Sequence, residues 1–373
     1  MNIKKILLIT NFGEDFFSYR VNFLHYLQKL GYDTIAVVPN DKFKTEIKKL
    51  GMQIYFYNYK QSILALFYVI NNVILFKKIL RKEKPSVIFT YKFFPNLIGI
   101  YVASKLKINK IICTIAGLGF LDKFDKSIII SVIFKIYIFV LNKANYIIVQ
   151  NSDDKKIIEK YIDKTKLLLT NGSGVNRLNF IVEDGAYSRE SFDLRENYIY
   201  FLFCSRIIKE KGIFELIEAF NYISKIETKI GLLIAGWFND KKTEAKIFNK
   251  IKANDRILFF GYQKDVKALI SLSDCIILPS YYGEGIPRSL IESLALSKPI
   301  ITTNHKGCRE TCIDGENGFL VNIKDINDIE EKMLKFIRLD DKKKQEMSRI
   351  SYNLFEKKFE QSVVFKKITD SVL

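Results

Sequence analysis

The sequence predicts an α/β protein built from two Rossmann-like, doubly wound domains facing a central cleft. The chain has 373 residues, too many for one ordinary core and suited to two domains of about 150 to 200 residues. Short β-branched runs alternate with longer helical stretches, the mark of a doubly wound sheet. The strand runs are continuous in Ile, Leu and Val, as expected for parallel strands covered on both faces.

In order, the first-half strands are Lys5–Thr10, Asp33–Val38, Gln53–Tyr57, Val87–Tyr91, Lys110–Ile115 and Tyr146–Gln150. Helical stretches at Tyr19–Leu30, Lys42–Leu50, Leu64–Glu83, Leu97–Leu106 and Lys126–Asn142 lie between them. The second half repeats the rhythm, with strands at Leu167–Thr170, Tyr198–Cys204, Ile230–Ala235, Ile257–Phe260, Cys275–Leu278, Ile300–Thr303 and Gly318–Val321. Its helices fit Gly212–Ile223, Thr243–Ala253, Lys264–Leu272, Arg288–Leu296, Asp325–Leu339 and a long tail from Lys342. Gly172 and Gly174 permit a turn that places the seam near residue 173. The domains expected are 1–173 and 174–354, with a C-terminal helix over about 355–373 packing back on the first. Ligands of such sheets sit beyond the carboxyl ends of the strands.

Hydrophobic residues make up 48% of the chain, ample for packed interiors. The net charge of +18 is unevenly placed. Residues 1–178 carry 28 Lys/Arg against 12 Asp/Glu, a balance of +16, whereas residues 179–373 carry 31 against 29, a balance of +2. A genome-wide Lys bias would inflate both halves. Basic stretches between long apolar runs suit an anionic membrane surface better than a base-reading groove, so nucleic acid is not expected as a partner.

The five cysteines are scattered. Only Cys308 and Cys312 are close, and no further pair or His completes a zinc set, so a reducing cytoplasmic compartment follows. The opening MNIKKILLIT has no cleavage site before Asn11, Glu14 and Asp15, and reads as a buried strand. Gln61–Phe76 is shorter than the ~20 apolar residues of a span. Ser127–Leu141 carries Lys135 at its middle. Buried or interfacial helices are expected at both.

Two runs carry the chemistry. Glu284-Gly-Ile-Pro-Arg-Ser-Leu-Ile-Glu292 follows a buried strand, and Gly285 and Pro287 allow a tight bend into a helix. The backbone N–H groups of Arg288 and Ser289 would face an anion there, assisted by the helix dipole. Cys204-Ser-Arg206 followed by Lys209-Glu-Lys211-Gly212 sets two cations at a strand's carboxyl end, where they can neutralise a diphosphate. Taken alone, a Lys–Glu–Lys run is more often a solvated ion-pair cluster. His25 fits a packing or surface position in a helix, and His305 lies in a loop.

Together these runs resemble the retaining glycosyltransferases of family 4, which have the two-Rossmann GT-B architecture. The resemblance covers nearly the whole chain, through S-R-x-x-x-x-K-G at 205–212, E-G-x-P-x-S-L-x-E at 284–292 and the linker at 171–180. It implies that Arg206 and Lys211 hold the donor diphosphate, that Glu284 contacts the donor sugar, and that Glu292 binds the ribose. Gly285, Ile286, Pro287, Arg288 and Ser289 would touch the diphosphate, and Tyr262 would border the nucleobase. Gly13, in Asn11-Phe-Gly13, would approach the donor, with a plain turn glycine an equal reading. Many family members place a His after the fifth strand. This sequence has Thr114-Ile-Ala-Gly117-Leu-Gly119 instead, and the family's usual His is lacking.

That run, with Tyr19-Arg20 and Gly307-Cys-Arg-Glu310, is similar to bacterial N-acetylgalactosaminyltransferases acting on undecaprenyl-diphosphate-linked sugars. The resemblance implies Arg20, Gly117 and Gly119 on the acceptor side, a UDP-sugar donor, an α-1,3 linkage and a peripheral enzyme at the cytoplasmic face of the inner membrane. No D-x-D run occurs, so no metal or other cofactor is expected. Two other functions compete: a UDP-sugar 2-epimerase of the same architecture, whose usual acid/base residues are not apparent, and a membrane- or nucleic-acid-binding protein without catalysis.

Overall fold

The computed structural model describes residues 4–59, 65–183, 185–238 and 240–373. The chain divides into two compact units, residues 1–170 with 365–373, and residues 171–364. The sequence set the seam at 173/174 and the returning segment at about 355. The division falls at 170/171 and 364/365.

The first unit holds seven strands: β1 (Lys5–Ile9), β2 (Asp33–Pro39), β3 (Gln53–Tyr57), β4 (Val87–Tyr91), β5 (Lys110–Ile115), β6 (Tyr146–Val149) and β7 (Leu167–Leu169). All pairings are parallel, in the order β3-β2-β1-β4-β5-β6-β7. The strand at 167, grouped by position with the second half, therefore closes the first sheet. Its helices are α1 (Gly13–Asp15), α2 (Val21–Lys29), α3 (Lys44–Lys48), α4 (Ala65–Glu83), α5 (Phe93–Lys105), α6 (Ile128–Leu141) and α7 (Ser152–Ile158). A wide π turn, Phe16–Arg20, joins α1 to α2. The start expected at Leu64 lies outside the described residues. Helix α7, capped by Asn151 accepting from the Asp154 amide, was not anticipated, because seven residues give too little apolar periodicity.

Strand order fixes the layers. Right-handed crossovers running from β3 through β4, β5 and β6 put α4, α5 and α6 on one face. Accordingly Leu7, Ile9, Ile88 and Cys113 pack with Phe76, Ile98 and Phe134 in one core. On the other face, the rings of Phe23 and Tyr26 from α2 meet Phe365, and Phe23 meets Phe89. A buried polar network ties the first layer together. Thr90 donates to Asn96 Oδ1 (2.7 Å), and Asn96 Nδ2 donates to the Thr114 carbonyl (3.0 Å) and the Tyr137 hydroxyl (2.8 Å). Through Asn96 these bonds join α5 to the sheet and to the Tyr137 hydroxyl of α6.

The second unit repeats the plan with β8 (Ile199–Cys204), β9 (Ile230–Ala235), β10 (Ile257–Gly261), β11 (Cys275–Leu278), β12 (Ile300–Thr303) and β13 (Gly318–Val321). They are ordered β10-β9-β8-β11-β12-β13, all parallel. Helices α8 (Ile213–Ile226), α9 (Lys241–Ile251), α10 (Lys267–Leu272), α11 (Arg288–Ala295), α12 (Ile326–Ile337) and α13 (Asp341–Leu354) cover it. The expected long tail breaks at Glu360, before α14 (Gln361–Val372). There Val175 accepts from the Gln361 amide (3.0 Å) and donates to the Phe359 carbonyl (2.9 Å). That pairing with a distant segment supplies the stop that local sequence lacks.

Among the described residues no helix is long and apolar enough to cross a membrane. All five cysteines are free.

Candidate active site

In the second unit the strand order reverses between β8 and β11, which is where open α/β sheets hold their ligands. The two sequence runs leave the carboxyl ends of these two neighbouring strands. After β8 the chain passes Arg206 and makes a tight turn over Lys209–Lys211. Gly212 then enters α8 with φ +74°, and a Cβ there would stand 2.1 Å from the Pro279 carbonyl oxygen. Only glycine lets these strand exits approach so closely. The Tyr281 amide donates to the Glu210 carbonyl (2.9 Å), stitching one loop to the other.

This approach sets the charges. Lys211 is buried, and its ammonium pairs with Glu284 Oε1. The Ser280 hydroxyl donates to the same oxygen at 3.2 Å. The Arg206 guanidinium lies over the Tyr282 ring at 5.6 Å. Pro287 is the N-cap of α11 and supplies no side-chain cap. Within that helix Arg288 Nε donates to Glu292 Oε1 at 2.7 Å. Burial pushes the Glu292 carboxyl up despite the opposing pull of Arg288. The Cys204 thiol is pushed up to about 12 by burial, with the Glu292 charge adding to it and Lys211 opposing. Glu292 and Lys211 thus both act on the end of β8. Gly307, with φ +76°, lies where a Cβ would meet the Gly285 oxygen at 2.2 Å. It presses the β12 loop against the Glu284–Gly285 bend.

Three cations, two carboxylates and a helix start therefore stand at the carboxyl ends of two neighbouring strands. Such a set can hold an anion while its acids accept from hydroxyls. Of the predicted residues, Arg206, Lys211, Glu284, Gly285, Ile286, Pro287, Arg288, Ser289 and Glu292 fall within these two loops and α11. Tyr262 follows β10, and its ring meets Trp237, which follows β9, at 5.5 Å. Ser280, Tyr282 and Trp237 were not foreseen, nor was the close approach of Gly307 to Gly285. Trp237 carried a signal, as the one tryptophan of the chain standing just after a predicted strand.

The first unit reverses its order between β1 and β4. Gly13 follows β1, but its amide donates to Asp41 Oδ2 at 2.7 Å, and a Cβ would meet Asp41 Oδ1 at 2.3 Å. The Asp41 carboxylate thus holds the Gly13 amide and leaves no room for a side chain there. Arg20 is buried, with its guanidinium 3.9 Å from the centre of the Tyr91 ring. Gly117 (φ +87°) and Gly119 (φ +56°) shape the loop after β5. The sequence reading missed a further pair here, Lys92 and Asp15. Burial pushes the Asp15 carboxyl up, but the Lys92 charge and hydrogen bonds from Lys92 and Tyr19 outweigh it and hold the group below the usual range. Lys92 adopts φ +69°, ψ 175°, a conformation ordinarily confined to glycine.

Family models match both units in chain order. Residues 5–151 match a model described as "Glycosyl transferase 4-like", and residues 186–354 one described as "Glycosyl transferases group 1". The chain is a glycosyltransferase made of these two domains. The N,N'-diacetylbacillosaminyl-diphospho-undecaprenol alpha-1,3-N-acetylgalactosaminyltransferase of Campylobacter jejuni is 22% identical to this transferase over 88% of each chain. A solved glycosyltransferase from Rickettsia africae superposes with TM-score 0.81 at 22% identity, covering 99% of this chain and 98% of that one. Anabaena Alr3699/HepE, solved in complex with UDP and glucose, gives 0.82 at 14% identity over 99% of each chain. These likenesses establish the GT-B fold of this transferase. Among the described residues, no group of three or more His, Cys, Asp or Glu side chains is placed to hold a metal ion.

Proposed function

We propose that this glycosyltransferase moves an N-acetylhexosamine, GalNAc in the first instance, from its UDP carrier to an undecaprenyl-diphosphate-linked saccharide. The linkage is α-1,3, formed with retention, at the cytoplasmic face of a membrane and in the assembly of a bacterial surface glycan. The observation that carries the reading is the meeting of Arg206, the Lys211–Glu284 pair and the start of α11 at the β8/β11 reversal.

In this reading Arg206 and Lys211 neutralise the departing UDP, and the first amides of α11 add to that field. The bond from the anomeric carbon to the β-phosphate oxygen breaks, and the acceptor hydroxyl bonds to the same face of the sugar. The hydroxyl proton passes to the leaving phosphate, so the chemistry needs charge stabilisation more than a strong base. No divalent cation takes part. Glu284 accepts from donor-sugar hydroxyls, Glu292 from the ribose, and Trp237 with Tyr262 borders the base. Arg20 and the Gly117–Gly119 loop lie on the acceptor side. The relative's printed specificity supports the choice of sugar and acceptor, and the UDP-bound neighbour supports the nucleotide.

The test is a panel of UDP-sugars with synthetic polyprenyl-diphosphate saccharides, with and without EDTA. Products are read by mass and by the anomeric proton coupling. An α-linked HexNAc product, unaffected by EDTA, is the expected result. A β-linked product, turnover without UDP release, or loss of turnover in EDTA would each overturn a stated part of the reading.

A further inference from the structure

Helix α6 is anchored on one side and bare on the other. Phe134, Tyr137, Ile138 and Leu141 enter the core, and Tyr137 is held by Asn96. At 100° per residue the outward arc is then made of Ile128, Ile129, Val132, Lys135, Ile136, Phe139 and Asn142. The five apolar members are between 52% and 87% exposed. Exposed apolar residues scattered singly are ordinary, but five on a single helix face form a contiguous patch that marks an interaction surface. On α4, in the same layer, Ile70 and Ile74 also face outward.

The charge around this layer is mainly positive, with Asp122 and Asp125 just before α6 the acids nearest to it. Residues 65–110 hold nine Lys/Arg and a single acid, Glu83. The Glu83 carboxylate is already held by Lys5 (3.2 Å) and Tyr55 (2.6 Å). Residues 126–150 add Lys126, Lys135 and Lys143, with no acid. Lys135 stands within the apolar stripe, where its long stem can lie along the surface with its ammonium at the headgroups.

We propose that the outward face of α6 is an interfacial docking surface for an anionic lipid bilayer. An apolar stripe edged by lysines on a helix too short to span is the pattern of a helix lying in the interface. A second copy of the chain fits less well. An isologous contact would set each lysine fringe against its own counterpart, like charge on like charge. The inference rests on the reading that the acceptor is lipid-linked, and it adds which face meets the lipid.

The test is flotation of the full chain with vesicles of phosphatidylcholine containing 30% phosphatidylglycerol, and with phosphatidylcholine alone. The variant I129S/I136S/F139S changes only exposed side chains and keeps the wild-type melting temperature. Wild type partitions to the anionic vesicles at least tenfold more than to the neutral ones, and the variant loses at least tenfold of that binding. Its turnover with a short-chain, soluble diphosphate acceptor stays within twofold. Equal binding of variant and wild type, or of wild type to both vesicle types, overturns the proposal. So does a wild-type dimer that the variant converts to monomer while vesicle binding persists. Transfer to a soluble acceptor without vesicle binding sinks the surface alone. Vesicle binding without transfer to any lipid-linked acceptor sinks the proposed reaction and leaves the surface standing.

Discussion

The ammonium of Lys211, on the loop after β8, is held by the carboxylate of Glu284, on the loop after β11, in a site almost closed to solvent. Each charge is the main compensation for burying the other. Removing one partner of such a pair costs about 3–5 kcal/mol, whereas removing both costs much less than the sum. Urea unfolding of K211M, E284Q and the double variant should therefore show strong positive coupling. Additive losses would mean that the pair carries no mutual energy.

Glu292 gives stability a definite pH dependence. Its carboxyl titrates above the ordinary 4.5 because burial disfavours the charge. Between 4.5 and the raised folded value the native state holds a proton that the unfolded chain has released. Stability contributed by this group therefore falls as pH rises through that window. E292Q should flatten the profile there. An unchanged slope by urea unfolding between pH 4.5 and 7 would contradict the assignment.

Trp237 provides an intrinsic probe, being the one tryptophan of the chain and lying against Tyr262. UDP should change its fluorescence saturably. W237A should raise the KM for UDP-sugar by about tenfold, the loss expected from one stacking face, with a smaller effect on kcat. A silent tryptophan in an enzyme that turns over would place the base elsewhere.

Gly212 and Gly31 separate two costs of glycine replacement. Both have positive φ, but a Cβ at Gly31 meets nothing within 4 Å, whereas one at Gly212 strikes the Pro279 carbonyl at 2.1 Å. G31A should lose about 1 kcal/mol. G212A should lose clearly more, together with activity, because the two site loops must part. Thermal unfolding and turnover of the two variants check this.

At Lys92, K92A and K92G both leave Asp15 without its ammonium, but only glycine adopts φ +69°, ψ 175° without strain. K92G should be the more stable of the two by about 1–3 kcal/mol. Equal stability would mean that the backbone conformation carries no strain.

The strands were legible because runs such as Ile6–Ile9 and Ile230–Ala235 are buried on both faces and so lack polar alternation. The residues at the β8/β11 reversal were legible because Arg206, Lys211, Glu284 and Glu292 stand in short runs at strand ends. What stayed hidden was non-local. Asp15 and Lys92 are ordinary charges 77 positions apart until β1 and β4 become neighbours. The stop at Glu360 depends on Val175, and the role of Gly307 on the carbonyl of Gly285. The outward arc of α6 could be read as apolar, but which side faced the sheet awaited Tyr137 and Asn96.

The most direct test of the account is the affinity for UDP, measured by calorimetry, of R206A beside wild type. Arg206 touches the ring of Tyr282 and is half-buried, so its loss should leave the melting temperature unchanged. A guanidinium that grips the pyrophosphate predicts a drop of about tenfold or more in UDP affinity and about 10²-fold in turnover. Wild-type affinity and wild-type turnover in R206A would contradict it.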